Sequence, residues 1–213
     1  MTSASPLRPE SQPENYAATQ DFLHWKCDLE IHKDGCGGSK NTVGIKYISQ
    51  AALVKKLTRE RIETLLNELF RDTEHPAPDA DFVIRHYLRP FAILLSAGSG
   101  RMISHFVEHL SLRDHLLPFT VESKDFPKST RGDLYKVFCK EQWQFCPVQL
   151  EYNMSYRLES NYILPIVQKE KIGDGGSAEV YKIVVDEEYN SLKPSKSIDA
   201  VSRPPWPTFL VQC

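Results

Sequence analysis

The chain has no apolar run approaching membrane-spanning length, no charged-then-apolar leader at its N-terminus and no internal repeat. These absences predict no membrane span, no secretory routing and no repeat architecture. It also lacks an excess charge of either sign. Lys and Arg total 26 against 28 Asp and Glu, the net charge is −2 and the isoelectric point is near 6.4. Nothing therefore draws the chain as a whole toward nucleic acid or an anionic membrane, and neither partner is expected. The five cysteines, Cys27, Cys36, Cys139, Cys146 and Cys213, are odd in number and irregular in spacing. That pattern suits free thiols better than a disulfide framework. The expected location is intracellular, cytoplasmic or nuclear.

What is present is ordinary for a globular chain: 213 residues, 41% hydrophobic and 25% charged, enough for one core and a second small unit. Residues 1–45 read as a disordered or poorly ordered segment. Its first 20 residues are rich in Ser, Pro, Glu and Gln. Beyond them come a weak alternation over Cys27–Ile31 and a turn cluster at Gly35–Ser39. Residues 46–150 read as a helical domain of unassigned role. Ile48, Ala52, Leu53 and Leu57 fit one helix face, and Thr58 is an N-cap candidate without a capping box, because Arg61 stands at the N3 position. Ile62, Leu65, Leu66, Leu69 and Phe70 follow helical spacing, and Pro76 and Pro78 end that run. A further stretch, Phe82 to Leu95, is expected to restart at Pro90. Met102, Ile103, Phe106, Val107 and Leu110 form a third face. Leu134 to Phe145 is the last helix, with Leu134, Val137, Phe138, Glu141 and Phe145 partly on one side. The expected fold is mainly α, a small helical domain followed by a β-hairpin.

The hairpin carries the most specific signal. Val167–Ile172 leads into Gly173-Asp174-Gly175-Gly176-Ser177-Ala178, and Glu179-Val180-Tyr181-Lys182-Ile183-Val184-Val185 is rich in the β-branched and aromatic residues of strands. Gly173 and Gly175 let a backbone approach a ligand closely. A dinucleotide-binding turn of similar spelling is followed by a helix, whereas a strand follows here.

The pattern G-x-G-x-x-A-x-V, with Ile172 before it and Val180-Tyr181-Lys182 closing it, resembles the nucleotide-covering loop of protein kinases. Trp143–Pro147, Ile163–Val167, Glu170–Gly173, Phe91–Leu95 and Asp114–Phe119 extend the resemblance to filamentous-fungal serine/threonine protein kinases over roughly residues 46–185. The resemblance implies that residues 165–190 correspond to the first two strands of a kinase N-lobe. It implies ATP, with Mg²⁺, as the ligand of the complete family member. Ile172, Gly173, Asp174, Gly175, Gly176, Ser177, Ala178 and Val180 would cover it, with Ile172 and Val180 over the adenine.

The chain departs from that pattern after about Asn190. No V-A-I-K, H-R-D or D-F-G follows, so the phosphate-binding lysine, the catalytic base and the metal ligands of a kinase are missing. In Ala200-Val201-Ser202-Arg203 the lysine position would be Ser202. Leu112-Arg113-Asp114-His115 superficially resembles the catalytic loop but precedes the glycine run. Residues 191–213 read as an irregular, proline-broken tail. A truncated gene or a natural fragment would have this form, and the chain alone is expected to be inactive, with weak or absent ATP binding and no catalytic residue.

Smaller signals have blander readings. His24, Cys27, His32 and Cys36 are zinc-type donors without the compact spacing of a structural site. Gly35–Lys40 misses the phosphate-loop pattern. His86, His105, His109 and His115 read as surface residues. Lys55, Lys56, Arg59 and Arg61, interleaved with Glu60, Glu63 and Glu68, read as a solvated helix face. Two alternatives stand beside the kinase reading: a non-catalytic module whose helical region binds a protein partner, and a winged-helix-like nucleic-acid binder.

Overall fold

A computed structural model describes residues 16–28, 32–37, 43–128, 133–151, 160–175, 178–191 and 208–212. The chain divides into two units, each made of two separate stretches. The first is Met1–Asp28 with Leu53–Gln142, and the second is Leu29–Ala52 with Trp143–Cys213. Numbered in chain order, the helices are α1 (Ala17–Cys27), α2 (Gln50–Lys56), α3 (Arg59–Phe70), α4 (Ala80–His86), α5 (Leu88–Ser96), α6 (Ile103–Glu108) and α7 (Leu134–Gln142). The strands are β1 (His32–Gly37), β2 (Val43–Ile48), β3 (Leu150–Glu151), β4 (Ile163–Leu164), β5 (Ile166–Gly175), β6 (Ala178–Val185), β7 (Asn190–Ser191) and β8 (Thr208–Gln212).

The first unit is helical, as its periodicity predicts. Ile62, Leu65, Leu66, Leu69 and Phe70 all lie on the buried side of α3. Thr58 caps that helix by accepting from the Arg61 N–H, the bond that explains the preference for a hydroxyl there. Helix α5 supplies the centre of the core, with Phe91, Ala92, Ile93, Leu94 and Leu95 inaccessible to solvent. Phe106, Phe119, Phe126 and Phe138 pack as an aromatic cluster beside it, with ring centroids 5.5–5.6 Å apart in the Phe106–Phe138 and Phe119–Phe138 pairs. Buried Gln142 serves the backbone of Phe119. Its Oε1 accepts the Phe119 N–H at 2.8 Å and its Nε2 donates to the Phe119 carbonyl at 3.0 Å. Both polar groups are thereby satisfied away from water.

Several boundaries differ from the sequence reading, each for a local reason. The expected restart at Pro90 lies earlier, at Tyr87 (φ −142°, ψ 23°). A proline ring inside a helix strikes the carbonyl four residues back, and breaking at Tyr87 puts Pro90 in the first turn of α5. Ile48 belongs to strand β2, not to the helix face assigned to it. Val137 points outward, at 45% exposure, while Leu134 and Phe138 face inward. The helix α7 stops at Gln142, and a 3-10 turn covers Trp143–Phe145. Within the segment read as disordered, residues 17–27 form α1. It buries little besides Phe22 and Thr19, so its apolar spacing is too sparse to announce a helix. Residues 1–15 lie outside the described residues.

The second unit is built of small sheets with the orders β2-β1-β4, β3-β7 and β5-β6-β8; every pairing is antiparallel except β3 with β7. The glycines read as a turn at Gly35–Gly37 are in fact on strand β1. A Cβ on Gly35 would sit 2.8 Å from both Ile163 Cγ2 and the Leu164 carbonyl oxygen, so only glycine lets β1 and β4 approach. In the supposedly irregular tail, Thr208–Gln212 forms β8, and residues 192–207 lie outside the described residues.

Two substitutions test these backbone demands. Gly98 (φ +65°) ends α5 in a Schellman arrangement, with Gly98 N–H on the Leu95 carbonyl at 3.1 Å and Ser99 N–H on the Leu94 carbonyl at 2.9 Å. Gly98→Ala, with open space around the added methyl, should cost about 1 kcal/mol from backbone strain alone. Gly35→Ala should cost more, up to about 3 kcal/mol, because it forces atoms apart. Urea denaturation followed by circular dichroism ranks the two, and a neutral Gly35→Ala would contradict the β1–β4 packing.

Candidate functional site

The glycine run forms the end of a long antiparallel hairpin in the second unit. Strand β5 pairs with β6 from Ile166↔Val185 to Gly175↔Ala178. Two irregularities interrupt the ladder. Gln168 pairs with Val184 directly after Ile166↔Val185, which leaves Val167 as an extra residue. Gly173 pairs with Val180 directly after Lys171↔Tyr181, which leaves Ile172 as another. A bulge of this kind re-aims a side chain out of the regular alternation. Among the described residues of this hairpin, Val167 and Ile172 are the exposed large hydrophobics, at 45% and 50%. Next to Ile172 is Gly173. Among the described residues, a Cβ placed there meets nothing within 4 Å, and its φ is outside the left-handed range. Neither the packing of the described residues nor the backbone conformation demands a glycine at that position.

On the paired part of the strands, Lys169 holds its Nζ 3.8 Å from the centroid of the Tyr181 ring, a cation–π contact. Glu170 stands opposite Lys182, a favourable cross-strand charge pair. On the far side of β6, β8 completes the sheet through Val180↔Gln212 to Val184↔Thr208. Its sequence, Thr208-Phe209-Leu210-Val211-Gln212, has no cationic residue.

The other end of the hairpin is anchored by Asp186. Its N–H donates to the Pro165 carbonyl at 2.9 Å, closing the base of the two strands. Its buried carboxylate accepts from Lys33 Nζ at 2.6 Å, from the Tyr47 hydroxyl at 2.7 Å and from the Glu188 N–H at 3.2 Å. The 3-10 turn that follows, Glu187–Tyr189, reaches the start of α2. The Gln50 N–H donates to the Tyr189 hydroxyl and the Ala51 N–H to Glu188 Oε1, both at 2.9 Å. Tyr47 and Tyr189 meet edge-on at 5.8 Å and share a small core with Ile163. Burial alone would push the Asp186 carboxyl up, but the bonds from Lys33, Tyr47 and the Glu188 N–H outweigh it, and the group sits below the usual carboxylate range. Burial, then the bond to Asp186, pushes the Tyr47 hydroxyl up, so Tyr47 remains a donor.

No protein-family model, no curated protein and no solved structure matches this chain. Its chemistry rests on its own residues.

Of the residues singled out in the sequence, Ile172, Gly173, Asp174, Gly175, Ala178 and Val180 are brought together on the paired ends of β5 and β6. Gly176 and Ser177 lie outside the described residues, as do the side chains from Asp174 to Val180. Of the possible zinc donors, His24 and Cys27 belong to the first unit and His32 and Cys36 to the second. Among the described residues no group of three or more His, Cys, Asp or Glu could hold a metal. Three of the four cations in the basic cluster of α2 and α3 are ion-paired. Lys56 and Arg61 share Asp21, and Arg59 pairs with Glu63 and Asp81. Asp114, in the stretch resembling a catalytic loop, is bound by Arg89 through its Nε and backbone N–H. The His105 and His109 rings lie 4.5 Å apart, tilted by 39°, with His105 Nε2 2.7 Å from the Asp125 carbonyl oxygen. The group around Asp186 escaped the sequence reading. Lys33, Tyr47 and Asp186 are far apart in the chain and share no spacing that could have marked them.

Asp186→Asn should lower the stability of the second unit by about 1–3 kcal/mol, and Tyr47→Phe by about 1 kcal/mol. Because the folded carboxyl titrates below its unfolded value of about 3.9, its contribution is complete above that pH and is lost as pH falls through the folded value. Acid titration of wild type and Asp186→Asn, followed by tyrosine fluorescence, should show the difference between them shrinking below about pH 4.

Proposed function

We propose that the hairpin Ile166–Val185 is a nucleotide-covering element of the protein-kinase type, and that these 213 residues do not by themselves transfer phosphate. The observation that carries the reading is Gly173. Glycine inside a strand costs stability through chain entropy and the lack of a side chain. Here neither crowding by the described residues nor φ explains it. A glycine of that kind often marks a place where a ligand comes close to the backbone. Beside it, the bulge turns Ile172 outward, where an apolar side chain could lie against a flat heterocycle. Phosphates would meet the glycine-rich end of the hairpin and the adenine would meet Ile172.

Phosphoryl transfer needs more than a cover. It needs a cation on the α- and β-phosphates, a base or positioning carboxylate, and metal ligands. The strand that pairs with β6 on its far side, Thr208–Gln212, offers no lysine, and neither H-R-D nor D-F-G occurs in the sequence. ATP binding to this chain is accordingly expected to be weak, with Kd above about 1 mM, which corresponds to about 4 kcal/mol or less.

A transplant tests the reading. Residues 166–185 replace the corresponding hairpin of an active serine/threonine kinase. The chimera should keep its KM for ATP within about tenfold, equivalent to about 1.4 kcal/mol. In that chimera Ile172→Asp should weaken ATP binding more than Val167→Asp does. A folded chimera that has lost ATP binding, or micromolar ATP binding by the 213-residue chain alone, would overturn the proposal.

A further inference from the structure

Helix α1 fits its place on the helical unit poorly. It packs against α3 and α5, yet it buries only Phe22 and Thr19. Most helical stability in proteins comes from a packed apolar face, and here one large side chain provides it. Thr19 is 1% exposed, and its hydroxyl has no hydrogen-bond partner among the described residues, a loss that burial makes costly. The seam beside Phe22 also holds a pocket of about 100 Å³ that no described side chain fills, lined by Ala18 and Asp21 of α1 and by Leu57, Thr64 and Leu65 opposite. Atoms along it forgo the contacts of close packing. What holds α1 in place is largely polar. The Ala18 N–H donates to Glu68 Oε2 at 2.9 Å, Arg101 Nη2 donates to the Tyr16 hydroxyl, and Lys26 pairs with Glu141. Asp21 Oδ2 accepts from Lys56 Nζ at 2.7 Å and from Arg61 Nη1 at 2.6 Å. Asp21 and Arg61 are both about half exposed, and pairs of that kind contribute little and are screened by salt.

We propose that α1 is a displaceable strap, and that the groove it covers beside α3 receives a helical segment of a partner protein bearing an acid followed at once by a large apolar side chain. The chemistry of the groove is defined by what α1 places in it: Asp21 between Lys56 and Arg61, with Phe22 inserted next to it. When α1 leaves, those two cations lose their shared acid, which favours an acidic occupant over a neutral one. A partner helix that repeats the acid–aromatic pair, carries an apolar side chain at the Thr19 position and fills the pocket makes the bonds of α1 without its faults. Laying an amphipathic helix into a groove is a recurring mode of recognition, and elements that move aside for a partner are drawn from the least stable parts of a fold. A closed strap lowers the apparent affinity of the groove in proportion to the fraction of molecules it covers. The site lies within the helical unit and is independent of the reading of the hairpin.

Native-state hydrogen exchange of the full chain is the first measurement. The amides of Asp21 to Lys26 should be at least about a hundredfold less protected than those of Ile62 to Leu69. Raising NaCl from about 50 mM to about 500 mM should widen that gap, and Thr19→Val, which removes the unmet hydroxyl, should narrow it. The second measurement titrates the full chain with a fluorescein-labelled peptide of residues 16–28 carrying Cys27→Ser. The peptide should bind the Phe22→Ala chain at least about tenfold more tightly than wild type, because the loosened strap uncovers the groove. Asp21→Asn in the chain loosens the strap without touching the core and should raise peptide affinity about threefold. Placed in the peptide instead, Phe22→Ala should weaken binding at least about thirtyfold and Asp21→Asn about threefold. That last loss should shrink when the chain carries Arg61→Gln. The proposal is overturned if Asp21 to Lys26 exchange only with α3, if Phe22→Ala unfolds α3 together with α1, if the peptide binds none of these chains, or if the Asp21→Asn peptide binds as well as its parent. A wild-type chain that doubles its mass with concentration by exchanging α1 between copies would overturn the partner in favour of a second copy.

Discussion

Asp186 is the constraint on which the second unit depends. Its carboxylate accepts bonds from Lys33 on β1, from Tyr47 on β2 and from the turn that follows its own strand, and its backbone amide closes the base of the hairpin on Pro165. A carboxylate kept from water needs that many donors to remain charged. The requirement runs in both directions. Tyr47 is inaccessible and needs an acceptor for its hydroxyl, and Lys33, at the rim, brings the compensating charge. The two N-terminal amides of α2, Gln50 and Ala51, then find their acceptors on Tyr189 and Glu188, beside Asp186. Side chains more than 130 residues away in sequence thus add to the local cap that Ser49 gives α2 by accepting the Ala52 N–H.

The helical unit was largely legible in the sequence because its information is local. The α3 stripe from Ile62 to Phe70 and the cap at Thr58 each depend on residues within a few positions. The hairpin was legible for the same reason, since its two strands are neighbours in the chain. Strand β1 was not. His32-Lys33-Asp34-Gly35-Cys36-Gly37 has the composition of a turn and becomes a strand because β2 and β4 pair with it. Helix α1 was missed because one large buried side chain, Phe22, sets no period. In the candidate site, the glycines and Ile172 were visible as a motif, but the bulge that turns Ile172 outward follows from the pairing register, which depends on both strands together.

The reading of the hairpin rests on a residue that breaks a local rule. Gly173 gives up a side chain where none of the described residues would crowd one. Other positions follow such rules visibly. Gly35 and Gly98 are glycines for steric and conformational reasons, and buried Gln142 has both ends bonded. Against that background Gly173 is informative, since proteins tend to tolerate local frustration where a ligand relieves it.

The division of each unit into two stretches has a consequence for biosynthesis. As the chain leaves the ribosome, Leu29–Ala52 emerges early, but its partners Ile163, Asp186 and Tyr189 come only after the whole of Leu53–Gln142 has been made. Strand β1 must therefore wait, its backbone groups unpaired on the side that β4 will cover, while the helical unit assembles. Domains usually fold as units in the order in which they are synthesised. Here the earlier segment of the second unit must remain soluble until the later one arrives. The polar and glycine-rich composition of β1, a poor signal for a strand, is well suited to that interval, because such a segment offers little to aggregate with before its partners appear.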